Sequence, residues 1–79
     1  MSVDLRNCKP GDQLISKHGL MLTYVRALPE EDYFDHEVKY PNISPYYGST
    51  GTRTNEGFVF RKNRLEDDHD IVEIIPKQN

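Results

Sequence analysis

The patterning of this chain predicts a single all-β domain, one strongly bent antiparallel sheet of about five to six short strands. Aromatic and β-branched residues alternate with polar ones over short runs. Proline, glycine, asparagine and aspartate punctuate those runs as turns. No stretch carries a helical period of useful length, and 79 residues hold one hydrophobic core rather than two.

Residues 1–11 form a polar lead-in ending at Lys9-Pro10-Gly11-Asp12, where Pro then Gly suits the centre of a type II turn. Gln13 to Lys17 is the first strand, and His18-Gly19 reads as a two-residue hairpin connection. Leu20 to Leu28 is a long second strand. Leu20, Leu22 and Tyr24 share one parity, and Met21, Thr23, Val25 and Ala27 share the other. Apolar residues on both faces place this strand at the centre of the sheet. Consecutive Thr, Tyr and Val, with Pro29 as a stop, favour strand over helix.

Tyr33 to Tyr40 alternates cleanly, with Phe34, His36, Val38 and Tyr40 on one face. Residues 41–49 are a non-repetitive loop of variable character, rich in Pro, Gly and Tyr. Thr50 to Thr54 is a threonine-rich strand. Asn55-Glu56-Gly57 is a hairpin loop with glycine where a positive φ is wanted. Phe58 to Lys62 is the returning strand, Asn63 to Asp70 a polar turn, and Ile71 to Ile75 the last strand, closed by Pro76. Residues 76–79 are a tail. Strand parity assigns Leu14, Leu22, Val38, Phe58, Phe60, Ile71 and Ile74 to one core. The last strand, apolar on both faces, is expected beside the early strands, which closes the sheet into an SH3-like barrel. Its edges are exposed to pairing, so a homodimer through an edge strand is one expected assembly.

Lys and Arg number ten against thirteen Asp and Glu, a formal charge of −3. Ten of those thirteen acids fall in segments 30–37 and 66–73. Between them, residues 53–64 carry Arg53, Arg61, Lys62 and Arg64 against Glu56 alone. A pI near 5.5 disfavours general binding to duplex nucleic acid. No apolar run reaches the roughly 20 residues of a membrane-spanning helix. A lone Cys8 allows no internal disulfide, and no signal peptide opens the chain, so the expected compartment is the cytoplasm. Cys8 itself reads as a small half-buried residue before the first strand.

Nucleotide-binding P-loops, dinucleotide fingerprints, HExxH and the G-x-S-x-G elbow are all missing from the sequence. The expectation is therefore a protein that is not an enzyme and needs no cofactor. His36 lies on the opposite strand face from Asp35 and Glu37, so those three do not converge on a metal without a bulge. His36 reads as a core histidine with a hydrogen bond, and His69 as a group bracing its loop. The cluster Arg53, Thr54, Arg61 and Arg64, with Tyr46 and Tyr47 upstream, has the donors and stacking faces that bind a phosphate or a nucleotide. Internal ion pairing of those arginines with Glu66 to Asp70 is the simpler account of the same pattern.

The segments KPGDQLISKHGLMLTYV and GTRTNEGFVFRKNRLEDDHDIVEII resemble small accessory proteins of bacteriophages and prophages. The KPGD turn is also similar to the opening of many SH3-like and KOW-type barrels. The resemblance spans residues 5–75 and carries no catalytic motif. It implies an accessory protein of the anti-CRISPR kind, acting in the host bacterial cytoplasm. The leading expectation is antagonism of a host defence protein, such as a CRISPR effector, by direct contact. Glu30, Glu31, Asp32, Tyr33, Tyr46, Tyr47, Asp67, Asp68 and Asp70 are the expected contact residues. The alternatives are sequestration of a signalling nucleotide through Arg53, Thr54, Arg61 and Arg64, and a plain SH3-like adaptor.

Overall fold

A computed structural model describes residues 3–29, 34–59 and 67–77. Five antiparallel strands form one sheet: β1 (Gln13–Ser16), β2 (Met21–Ala27), β3 (His36–Lys39), β4 (Thr50–Arg53) and β5 (Ile71–Ile75). Their order is β4-β3-β2-β1-β5, so β2 is central and the last strand lies beside the first, as the apolar patterning predicts. The outer strands β4 and β5 make no ladder with each other among the described residues. Single bonds bridge that side instead, with Ile71 N–H donating to the Gly57 carbonyl at 2.8 Å and Val59 N–H to the Asp70 carboxylate, also at 2.8 Å. A short 3₁₀ turn at Leu5–Asn7 precedes the sheet, capped by the Asp4 side chain. No helix among the described residues is long and apolar enough to cross a membrane.

The core follows from strand alternation. Leu14, Leu22, Tyr24, Val38 and Ile71 are buried on one face of the sheet, with Leu5 covering them from the lead-in. Leu14 pairs directly with Leu22 across β1 and β2, and Tyr24 with Val38 across β2 and β3. Ile74 is half-buried against this cluster, Phe58 is half-buried, and Phe60 lies outside the described residues. Leu5 escapes a periodicity argument because it precedes the strands. Two register shifts bend the sheet, one between Tyr24 and Arg26 and one opposite Ile15 and Ser16.

Several local expectations change, with β2, β3 and β4 each shorter than the sequence predicts. Strand β1 ends at Ser16, not Lys17, and β2 begins at Met21, not Leu20, so the connection is four residues long. Ser16 explains this, because its Oγ accepts the Leu20 N–H at 2.9 Å and closes the loop. Phe58 and Val59 are not in a strand, because Thr54 Oγ1 accepts the Phe58 N–H at 3.1 Å and holds the chain in a turn. Residues 60–62 of that expected strand lie outside the described residues. Cys8 is half-buried as expected, and burial pushes its thiol above the ordinary range, with Asp12 and Asp4 adding to the shift.

Buried Asp12 ties the turn before β1 to the segment that follows β5. Its carboxylate accepts the Lys9 N–H and the Lys77 N–H, each at 2.9 Å. Those backbone donors, Lys77 first, hold its carboxyl below the ordinary value. A carboxyl depressed in the folded state stabilises that state above its unfolded pKa, and the contribution is lost as pH falls through the folded value. An acid titration followed at the Lys77 amide by NMR is therefore expected to stay flat through the usual carboxylate range and to move only below it. The Asp12→Asn protein is expected to lack that step. A step at the ordinary carboxylate pH overturns the account.

Candidate functional site

The chemistry-bearing side chains gather where the β1–β2 loop, the 41–49 loop and the 67–70 turn meet. The β1–β2 loop and the turn are zipped by backbone bonds, Lys17 N–H to the Asp70 carbonyl at 2.8 Å and His18 N–H to the Asp68 carbonyl at 3.0 Å. Above them runs a chain of rings. His18 and His69 have centroids 4.5 Å apart, His69 and Tyr40 5.6 Å, and Tyr40 and Tyr46 4.9 Å.

Arg53 underlies this chain and is only 2% exposed. Its Nε donates to the His69 carbonyl at 3.1 Å, Nη1 to the Thr52 carbonyl at 2.7 Å and Nη2 to the Tyr40 hydroxyl at 2.7 Å. The guanidinium carbon also sits 5.6 Å from the Tyr40 ring centroid. No carboxylate among the described residues pairs with it. Gly51 makes room for this arrangement, since a Cβ there would lie 3.2 Å from both Arg53 Nη1 and Tyr40 Cε1. The expectation that Arg53 offers its fork to a phosphate is therefore corrected: three protein oxygens already hold it under the surface. Thr54 is corrected likewise, being buried with its hydroxyl committed to Phe58. Arg61 and Arg64 lie outside the described residues. The expected ion pairing to the acidic turn takes a different form, because Arg53 reaches that turn through a backbone carbonyl.

Asp70 is the other correction. It is buried, with Oδ1 accepting the Val59 N–H at 2.8 Å and Oδ2 the Asp67 N–H at 3.0 Å. A carboxylate held that way builds the turn and is not a contact group. Asp67 is half-buried and accepts the His69 N–H at 2.8 Å, while Asp68 is exposed. Glu30, Glu31, Asp32 and Tyr33 lie outside the described residues. Tyr46 is half-buried in the ring chain, and Tyr47 is 70% exposed.

The 41–49 loop is held by its own backbone. Tyr46 and Tyr47 N–H groups both donate to the Ile43 carbonyl, at 2.6 and 2.9 Å, and Gly48 N–H donates to the Pro41 carbonyl at 3.1 Å. The resulting knob presents Ile43, 50% exposed, and Tyr47, whose backbone lies in the left-handed region at φ 49°.

His36 is the buried histidine that alternation predicts. The Tyr24 hydroxyl meets its Nδ1 at 2.7 Å, and its Nε2 meets Asn55 Oδ1 at 2.7 Å. His69 braces its turn as expected. Sequence reasoning missed Tyr40, His18 and Ser16 as members of the cluster. The available signal was parity, which places Tyr40 at the end of the inward face of β3 and Ser16 on that of β1. Comparison with protein-family models, curated proteins and solved structures returns no match.

Proposed function

We propose that this protein is a non-enzymatic binding module that antagonises a bacterial defence protein by direct contact, with the 41–49 knob as its anchor. The observation that carries the reading is Tyr47. A non-glycine residue in the left-handed region costs about 1–2 kcal/mol, and this side chain, 70% exposed, recovers little of that by packing. Exposed aromatic side chains beside an aliphatic one are the usual anchors of protein interfaces. Ile43 supplies the aliphatic neighbour, and Asp68 supplies an exposed acid near the ring chain for a basic rim on the partner. The bacteriophage resemblance of the sequence supports a defence protein as the target.

Plaque formation on a host with an active CRISPR system tests this reading. Expression of the wild-type protein is expected to restore plaquing. Tyr47→Gly is expected to keep or raise the melting temperature, because glycine accepts the backbone conformation freely. The same variant is expected to weaken partner binding by about 2 kcal/mol or more, roughly 30-fold. Asp68→Lys is expected to slow association in a salt-dependent way. Full inhibition by Tyr47→Gly overturns the anchor, and no effect of the wild-type protein on plaquing overturns the target class.

A further inference from the structure

We infer that Tyr40 is a nucleophilic phenol, a covalent modification site that takes an electrophile at tetrahedral phosphorus or sulfur(VI). The argument is independent of the binding reading and rests on what surrounds one oxygen. Tyr40 Oη accepts an N–H from Arg53 Nη2 at 2.7 Å and lies 2.9 Å from His69 Nδ1. With the arginine donating, the network assigns the phenol proton to the bond toward His69 Nδ1. A nucleophile is activated where a base takes its proton and a third group orients that base. Here the base is His69. Its backbone N–H is tied to Asp67 Oδ1 at 2.8 Å, its carbonyl to Arg53 Nε at 3.1 Å, and its ring packs at a 48° tilt against His18, centroids 4.5 Å apart. His18 is itself fixed by Ser16 Oγ at 2.7 Å, so the ring pair has a defined orientation.

Arg53 supplies the electrostatics. It is buried, no carboxylate among the described residues pairs with it, and it places a donor at Oη. All three of its nitrogens donate to protein oxygens, so it fixes the position of Oη rather than reaching an incoming group. Tyr24 and Tyr47 differ. Tyr24 is buried against His36, and Tyr47 is exposed with no base or cation at its hydroxyl among the described residues.

An aryl sulfonyl fluoride tests the site. The Tyr40 oxygen forms the bond to sulfur, the S–F bond breaks with fluoride leaving as the anion, and the phenol proton passes to His69 Nδ1 and on to water. Substoichiometric probe is added to the folded wild-type protein, and the labelled tyrosines are ranked by peptide mass spectrometry. Tyr40 is expected to label at least about tenfold faster than Tyr47, a threshold set below the roughly hundredfold low end of a general-base contribution. In His69→Gln, which keeps polarity but removes the base, Tyr40 labelling is expected to fall toward the Tyr47 rate while Tyr47 is unchanged. Preferential labelling of Tyr47 in the wild-type protein overturns the inference without any variant. So does a Tyr40 rate that ignores His69→Gln. Loss of fold in that variant is read from circular dichroism, and the wild-type ranking then decides.

Discussion

Leu22→Ala lowers the unfolding free energy by about 2–5 kcal/mol, measured by urea denaturation. Leu22 is fully buried on the central strand and pairs with Leu14 across β1. A methyl in its place leaves a void in the middle strand of the sheet, which has neighbours on both sides. A domain of this length has a total stability of roughly 4–12 kcal/mol, so the loss is a large share and brings the weaker end of that range close to unfolding. Met21→Ala is the matched control. Met21 points to the opposite face and is 47% exposed, so its truncation is expected to stay within about 0.5 kcal/mol. Equal losses at the two positions would place the core on the wrong face of β2.

That face was legible from sequence because strand alternation has a period of two and Leu20, Leu22 and Tyr24 keep one parity. The same logic located Val38 and His36 on the inward face of β3. The turn at Asn55-Glu56-Gly57 was legible from glycine chemistry, and Gly57 has the positive φ expected, at 85°. Phe58 to Lys62 read as a strand on composition, yet its first two residues leave the sheet. A threonine hydroxyl caps the chain there, and a hydroxyl bonded to a nearby amide competes with ladder pairing without changing the apolar pattern.

The site was legible in its parts and not in its connections. Charge counting places Arg53 on a surface, because cations are costly to bury. Its compensation comes from the His69 and Thr52 carbonyls and the Tyr40 hydroxyl, none of which enters a charge count. Asp70 misleads in the same way. Within an acidic run it reads as solvated, but two backbone amides take both of its oxygens. Among the described acids of 67–73, Asp68 and Glu73 are exposed, Asp67 is half-buried, and Asp70 is committed to its own turn.

Gly57→Ala is expected to cost about 2–5 kcal/mol, because strain and overpacking act together there. The φ of 85° is a conformation alanine adopts poorly. A Cβ would also lie 2.9 Å from Ile71 Cβ, 3.0 Å from Val3 Cγ2 and 3.1 Å from the Ile71 carbonyl oxygen. These neighbours belong to buried Ile71 of β5 and to the lead-in, and neither is the far end of a flexible side chain. Gly57 further accepts the Ile71 N–H through its carbonyl, so displacing it strains the bond that ties the β4 turn to β5. Gly19→Ala separates the two causes. Gly19 has a φ of 91° but no atom within 4 Å of the added methyl, so it reports the backbone cost alone, about 1 kcal/mol. Denaturant midpoints for the two variants are then expected to differ by the packing cost at Gly57. Equal midpoints would mean that β5 and the lead-in yield freely around the turn, and that the 54–57 turn and β5 are not held in register by close contact.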